Sequence, residues 1–366
     1  MLVKTLTLEG FRNYRALDLE LDPGVNVITG GNAQGKTNLL ESIYFLTTGR
    51  SFRARYDREM IGFGCERASV SAVIESGGRS QKLEAQLQNG IGKRFFANGA
   101  RLKTASELSG RLTAVLFLPE DLYMVRNGAS ARRRLMDSCL SQLRPAYASA
   151  LLEFGRCYEQ KTRILRDRRE KPSLLEALDD YNRRLCELSA VLIGYRARLV
   201  KAITPVAAEI HREFSGGETL DLHYQTVKTV RDPLGPSAAL TEDLWAHQTA
   251  HRQAELDAGL CLSGAHKDDL DILIDGQTAR EYASQGQART AALSLKLAER
   301  ELHRTDRGET PVLLLDDVLS ELDSDRQNFI LNRIGGGQIF ITCCDGGRTA
   351  DVTGGRIYSV KGGVIL

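Results

Sequence analysis

Paired-cysteine metal motifs are missing from this chain. Its seven cysteines are scattered apart from the adjacent Cys343 and Cys344, and none has C-x-x-C spacing. That excludes the usual structural zinc patterns and reads as reduced, mostly buried thiols of a cytoplasmic protein. No run approaches the roughly 18 consecutive apolar residues of a membrane span, so no membrane is expected as a partner. The first nine residues alternate like a strand and lack the apolar block of a signal peptide. Charge of one sign is also lacking: 49 basic against 47 acidic residues leave +2. Any nucleic-acid surface must therefore be a local patch. There is no internal repeat and no low-complexity segment. What remains is ordinary globular composition, 42% hydrophobic and 26% charged over 366 residues, enough for two or three domains.

Against this background one stretch stands out. Gly30, Gly31, Asn32, Ala33, Gln34, Gly35, Lys36 and Thr37 fit G-x-x-x-x-G-K-[ST] without a mismatch. A strand-like run, 25–28, precedes it and a helix-like run, 38–43, follows. Glycines let the backbone wrap phosphates closely, and a helix N-terminus favours an anion. Lys36 is expected to reach the β- and γ-phosphates of a nucleoside triphosphate, and the Thr37 hydroxyl to ligate Mg²⁺.

Residues 1 to about 120 read as strands and turns. Segments 69–74 and 82–87 look like antiparallel partners, Asn98-Gly99 marks a hairpin, and 113–118 is a buried strand closed by Pro119. From about 129 to 211 the pattern turns helical. Leu140, Leu143, Tyr147, Leu151, Phe154 and Tyr158 form one apolar stripe, and Pro172 breaks the run before a second helix through Leu199. A further helix is expected over 240–260. The last hundred residues return to α/β, with strands at 271–274, 311–315 and 338–342, a helix over 288–303, and a small terminal hairpin. The chemistry-bearing pieces thus sit at both ends, with a helical insertion between them.

Leu313-Leu314-Leu315-Asp316-Asp317 is an apolar strand ending in two acids. Beside a phosphate loop, such a strand end holds Mg²⁺. Asp316 is expected to bind the metal and Asp317 to polarise the attacking water. Ser320 and Asp323 read equally as a helix cap and as a functional loop. Ser284, Gly286 and Gln287 open the 288–303 helix, a second phosphate-binding end or simply a cap.

Together these residues resemble the ABC-type ATPases that act on DNA, the RecF, SMC and Rad50 group, and most closely the RecF family. The likeness adds Phe11-Arg12-Asn13-Tyr14, Gly49 to Arg53, Pro119 to Leu122, Arg132 to Asp137 and His266 to Asp269. It spans nearly the whole chain. It implies an α/β fold: an ABC ATPase head, lobe I, from 1–126 and 258–366, with a helical lobe II over 127–257. It also implies ATP and Mg²⁺ as cofactors and an ATP-dependent homodimer, with Lys36 of one chain and Ser284 of the other at each site. Arg12 is carried over to the phosphates. Implied partners are single- and double-stranded DNA, gap junctions, and RecR with RecO, in recombinational repair and replication restart. A short SMC-like scaffold, with ATP only as a clamp, stays open as the alternative. Asp317 stands where other ABC enzymes use Glu; a shorter acid places water less well, so turnover below the median enzyme rate of about 10 s⁻¹ is expected. The usual switch histidine is replaced by Thr342-Cys343-Cys344.

For DNA, 131–171 carries eleven basic residues against five acids, beginning with Arg132, Arg133 and Arg134. Arg50, Arg53, Arg55 and Arg58, just after the first helix, are a second candidate. Contacts of this kind give affinity without sequence preference, and an affinity that falls steeply with salt.

Overall fold

The computed structural model describes residues 1–344 and 354–366. It divides into two compact units: Met1–Tyr123 with Ala292–Leu366, and Met124–Ala291.

In the first unit, β1 (Leu2–Phe11) and β2 (Tyr14–Glu20) form a hairpin, and β3 (Val25–Thr29) leads into α1 (Lys36–Thr48). Then follow β4 (Arg67–Ser76), β5 (Arg79–Gln88), β6 (Gly92–Ala97), β7 (Ala100–Arg101) and β8 (Ala114–Phe117). The expected antiparallel pair is β4 with β5, and the Asn98-Gly99 hairpin joins β6 to β7. One sheet runs β2-β1-β4-β5-β6-β7.

The second unit opens with α2 (Ala129–Leu143) and α3 (Pro145–Asp167). The stripe read as continuous is therefore broken at Arg144, because Pro145 cannot continue a helix but can start one. α4 (Leu178–Ser215) runs 38 residues, filling the helical stretch expected to about 211, with Pro205 inside it. β9 (Leu220–Gln225), α5 (Ser237–Ala258), β10 (Asp269–Ile274), β11 (Gln277–Thr278) and the single turn α6 (Ala279–Tyr282) complete the series before α7 (Gln285–Arg307). The expected break at 257/258 falls inside this unit. The reason is pairing: β10 takes β9 and β11 as antiparallel neighbours, and β9 packs on α4.

Its interior carries buried ion pairs. Arg196, 3% exposed, binds Asp137 and Asp268 and donates to the Ala265 carbonyl. Lys161, fully buried, binds Glu255 and Gln248. Breaking such a pair leaves an uncompensated charge and costs about 3–5 kcal/mol.

Back in the first unit, β12 (Val312–Asp316), α8 (Ser324–Arg333), β13 (Ile339–Cys343), β14 (Arg356–Lys361) and β15 (Val364–Ile365) follow. The second sheet runs β15-β14-β3-β13-β12-β8. Its β14, β3, β13, β12 and β8 are parallel. The terminal hairpin is thus also a strand of the central sheet. α1 packs on β8, β12 and β13 of this sheet and on β1, β4 and β5 of the other. A helix between two sheets must be apolar all round, and Leu39, Leu40, Ile43, Phe45 and Leu46 are all fully buried. Among the described residues no helix is long and apolar enough to cross a membrane.

Candidate nucleotide site

Parallel strands place their C-terminal ends together, and that is where open α/β sheets hold ligands. Register aligns them here: Thr342 of β13 pairs with Ile28 of β3 on one side and with Asp316 of β12 on the other. The loop 30–37 leaves the end of β3. Gly30 has φ +148, and a Cβ there would collide with the Val360 carbonyl. Gly35, at φ 122, starts α1 with no side-chain cap, so the first turn keeps its donors for an anion. Lys36 is buried, and its Nζ donates to the carbonyls of Gly30 (2.7 Å) and Gly31 (3.0 Å). Asn32, Ala33 and Gly31 are exposed along the loop, and Gln34 is half-buried.

Thr37 and Asp316 meet. The Thr37 hydroxyl donates to Asp316 Oδ1 at 2.9 Å, across 279 positions of sequence. Burial pushes the Asp316 carboxyl above the ordinary range, against hydrogen bonds from Thr342 and Thr37 that pull it down. A divalent cation would relieve that buried charge, and a hydroxyl beside a carboxylate is the hard-oxygen set that suits Mg²⁺. Asp317 is half-buried, with φ +53, and its N–H donates to Thr342 Oγ1 at 2.9 Å. Its carbonyl accepts the Ser320 hydroxyl at 2.7 Å. Ser320 is therefore no helix cap. The cap of α8 is Asp323, whose carboxylate accepts the Arg326 N–H at 3.0 Å.

Residues missed in the sequence brace the loop. Asn13 Nδ2 donates to the Gln34 carbonyl at 2.7 Å, and the Tyr14 hydroxyl to the Gly35 carbonyl at 3.1 Å. From the terminal hairpin, Gly363 N donates to the same Gln34 carbonyl at 3.0 Å and Gly362 N to Gln34 Oε1 at 2.7 Å. Asn13 and Tyr14 were visible only as family-motif residues; the hairpin was legible, but its contact with Gln34 was not.

Arg12, carried over to the phosphates, is held by α1 and by the Glu59 backbone. Its Nε and Nη2 donate to the two oxygens of Glu41, at 2.8 and 2.6 Å, and its Nη1 to the Glu59 carbonyl. Arg53 also binds Glu41, at 3.0 Å, and Ser51 donates to it as well. Burial alone would raise the Glu41 pKa, but Arg12, Ser51 and Arg53 hold it below the ordinary range. A fully buried carboxylate on α1 draws both guanidinium groups to itself.

Ser284, Gly286 and Gln287 lie in the second unit at the start of α7. Ser284 and Gln287 form a reciprocal cap: Ser284 N donates to Gln287 Oε1 at 2.8 Å and Gln287 N to Ser284 Oγ at 3.1 Å. The Gln287 amide also donates to Glu218 at 2.8 Å. Ser284 itself is exposed.

The basic run separates into residues of different fates. Arg132 is 3% exposed, bound by Nε and Nη2 to Asp269 at 2.7 and 2.8 Å, which removes it from any DNA surface. Arg133 donates to the Asp268 carbonyl at 2.6 Å, and Arg134 is exposed. In the first unit, Arg55 and Arg58 lie 5.3 and 5.1 Å from the ring centre of exposed Tyr56.

Residues 2–360 match the family model for the RecF/RecN/SMC N-terminal domain. The DNA replication and repair protein RecF of Lachnospira eligens is 40% identical over 346 residues, 94% of this chain and 92% of that protein. This chain belongs to the RecF family. RecF of Symbiobacterium thermophilum is similar at 39% identity, over 94% of this chain and 92% of its own. A solved structure described as the recombination mediator protein RecF-ATPrS in the RecFOR pathway has TM-score 0.90 at 32% identity, covering all of this chain and 97% of its own. An SmcHead structure, TM-score 0.56 at 16% identity, shares the fold. The RecF fold is thus that of an ABC-type ATPase head, and its family is one of ATP-hydrolysing proteins of DNA replication and repair.

Proposed function

We propose that this chain is an ATP-dependent DNA-binding protein of recombinational repair, working as a dimer closed by ATP. The observation that carries the reading is the meeting of Thr37 and Asp316 at 2.9 Å beside the Lys36 loop. In this reading Lys36 binds the β- and γ-phosphates, the backbone of 30–37 cradles the chain, and Thr37 with Asp316 holds Mg²⁺. Asp317 orients the attacking water. Ser284, Gly286 and Gln287 of a second copy reach the γ-phosphate, supported by the exposure of Ser284 at a helix start. Hydrolysis is slow and stimulated by DNA, and it resets the clamp. Single- and double-stranded DNA, and their gap junctions, bind through phosphate contacts from exposed arginines, with Arg134, Arg55 and Arg58 retained and Tyr56 added. RecR, with RecO, is the proposed partner in loading recombinase. Likeness to a recombination mediator of the RecFOR pathway supports this.

Solution mass of wild type and Ser284→Arg, with and without ATP and DNA, tests the reading. Wild type should double in mass only with ATP, and Ser284→Arg should remain monomeric. Loss of the cap alone costs about 1 kcal/mol, so the variant should stay folded. Dimerisation that ignores ATP would remove the composite site.

A further inference from the structure

We infer that Thr342 is a positioning residue for ATP hydrolysis, aligning both acids of the β12 end through one hydroxyl. The inference rests on the nucleotide-site reading above. Thr342 is 1% exposed, on the strand between β3 and β12. Its Oγ1 donates to Asp316 Oδ1 at 2.7 Å and accepts the Asp317 N–H at 2.9 Å. A hydroxyl has one proton to give and lone pairs to receive, and both capacities are used here. The first bond fixes the Asp316 carboxylate, whose Oδ1 also receives Thr37. The second holds a backbone in an uncommon state. Asp317 has φ +53, a region that non-glycine residues occupy only when their surroundings hold them there.

The two bonds have one consequence. Metal ligand and water-orienting acid share a brace, so their separation and directions are set together. The position is where the switch histidine usual among ABC enzymes is missing and Thr342-Cys343-Cys344 stands instead. Binding of ATP, which uses the loop and Lys36, does not run through Thr342. Hydrolysis, which needs both acids aligned, does. A misplacement of about 1 Å can cost on the order of a hundredfold in rate.

Thr342→Val keeps shape and removes both bonds; Thr342→Ser keeps both bonds and loses a methyl. In the full chain, Thr342→Val should lose at least about tenfold in kcat and need more Mg²⁺, with ATP affinity within about threefold of wild type. Thr342→Ser should stay within about threefold of the wild-type rate. If the valine variant does not fold, Thr342→Cys, of similar size and a weak hydrogen-bonder, should show the same split between rate and affinity. Wild-type rate and Mg²⁺ requirement in the valine variant would overturn the inference. So would a serine variant as slow as the valine one, which would mean that the methyl matters instead. A wild-type protein with no hydrolysis sensitive to Asp316→Asn would overturn the site reading and this inference with it.

Discussion

Glu41 shows how much a single buried charge can organise. It sits on α1 four positions after Thr37 and accepts hydrogen bonds from Arg12, Ser51 and Arg53. Its pKa lies below 4.5 despite burial, because these partners outweigh desolvation. A carboxylate with a depressed folded pKa adds stability above its unfolded value, and that stability is lost as pH falls through the folded one. Glu41→Gln should therefore destabilise the protein by about 2 kcal/mol near neutral pH, the order of a charged hydrogen-bond set. The gap between variant and wild type should close below pH 4.5. Denaturant titrations at several pH values check this; a gap independent of pH would mean that packing, not charge, is lost. Arg132 teaches the converse. In sequence it is one of three consecutive arginines, and a charge count treats them alike. Folding sends one to Asp269, one to a carbonyl and one to solvent. Side-chain direction around α2 decides that, and composition does not contain it.

At the scale of elements, what could be read was local. The phosphate loop is eight contiguous residues, and its strand and helix flanks have their own periodicities, so β3, the loop and α1 were legible together. The Asn98-Gly99 hairpin and the apolar strand of β12 were legible for the same reason. The α4 helix carries Pro205 in its interior, and packing on α3, α5 and β9 outweighs the cost of that proline. The pairing of Thr342 with Asp316 depends on strand register, which no local pattern specifies. The same holds for the turn at Gly362 and Gly363, which reaches Gln34 from the far end of the chain. This turn should act on the nucleotide loop. Gly363 has φ +79, and a Cβ there would run into the Asn13 carbonyl. Gly363→Ala would push apart the two elements that brace Gln34. A cost of about 1–3 kcal/mol for the strained backbone is expected, part of it appearing as distortion of the loop. ATP affinity should fall roughly fivefold, the equivalent of about 1 kcal/mol. Titration with a fluorescent ATP analogue, beside a melting curve, separates the effects. A lower Tm with unchanged affinity would confine the turn to a structural role.

At the scale of the whole molecule, the decisive property is that one chain carries two different halves of a proposed site. Lys36 and Ser284 belong to different units, and each is the start of a helix. If a site takes Lys36 from one copy and Ser284 from another, then two copies of Lys36→Ala, or two of Ser284→Arg, form no complete site. A mixed dimer behaves differently. There the Lys36→Ala chain supplies an intact Ser284 and the Ser284→Arg chain an intact Lys36, so one of its two sites is complete. Equal amounts, paired only as mixed dimers, should restore at most about half of all sites in this two-fold arrangement. Each variant alone should hydrolyse ATP at background, and the mixture should recover activity up to about half of the wild-type rate. The steady-state rate, measured against mixing ratio, should pass through a maximum at equal amounts and vanish at either end. A flat response would place Ser284 outside the site, and its hydroxyl would be left with the capping of α7 alone.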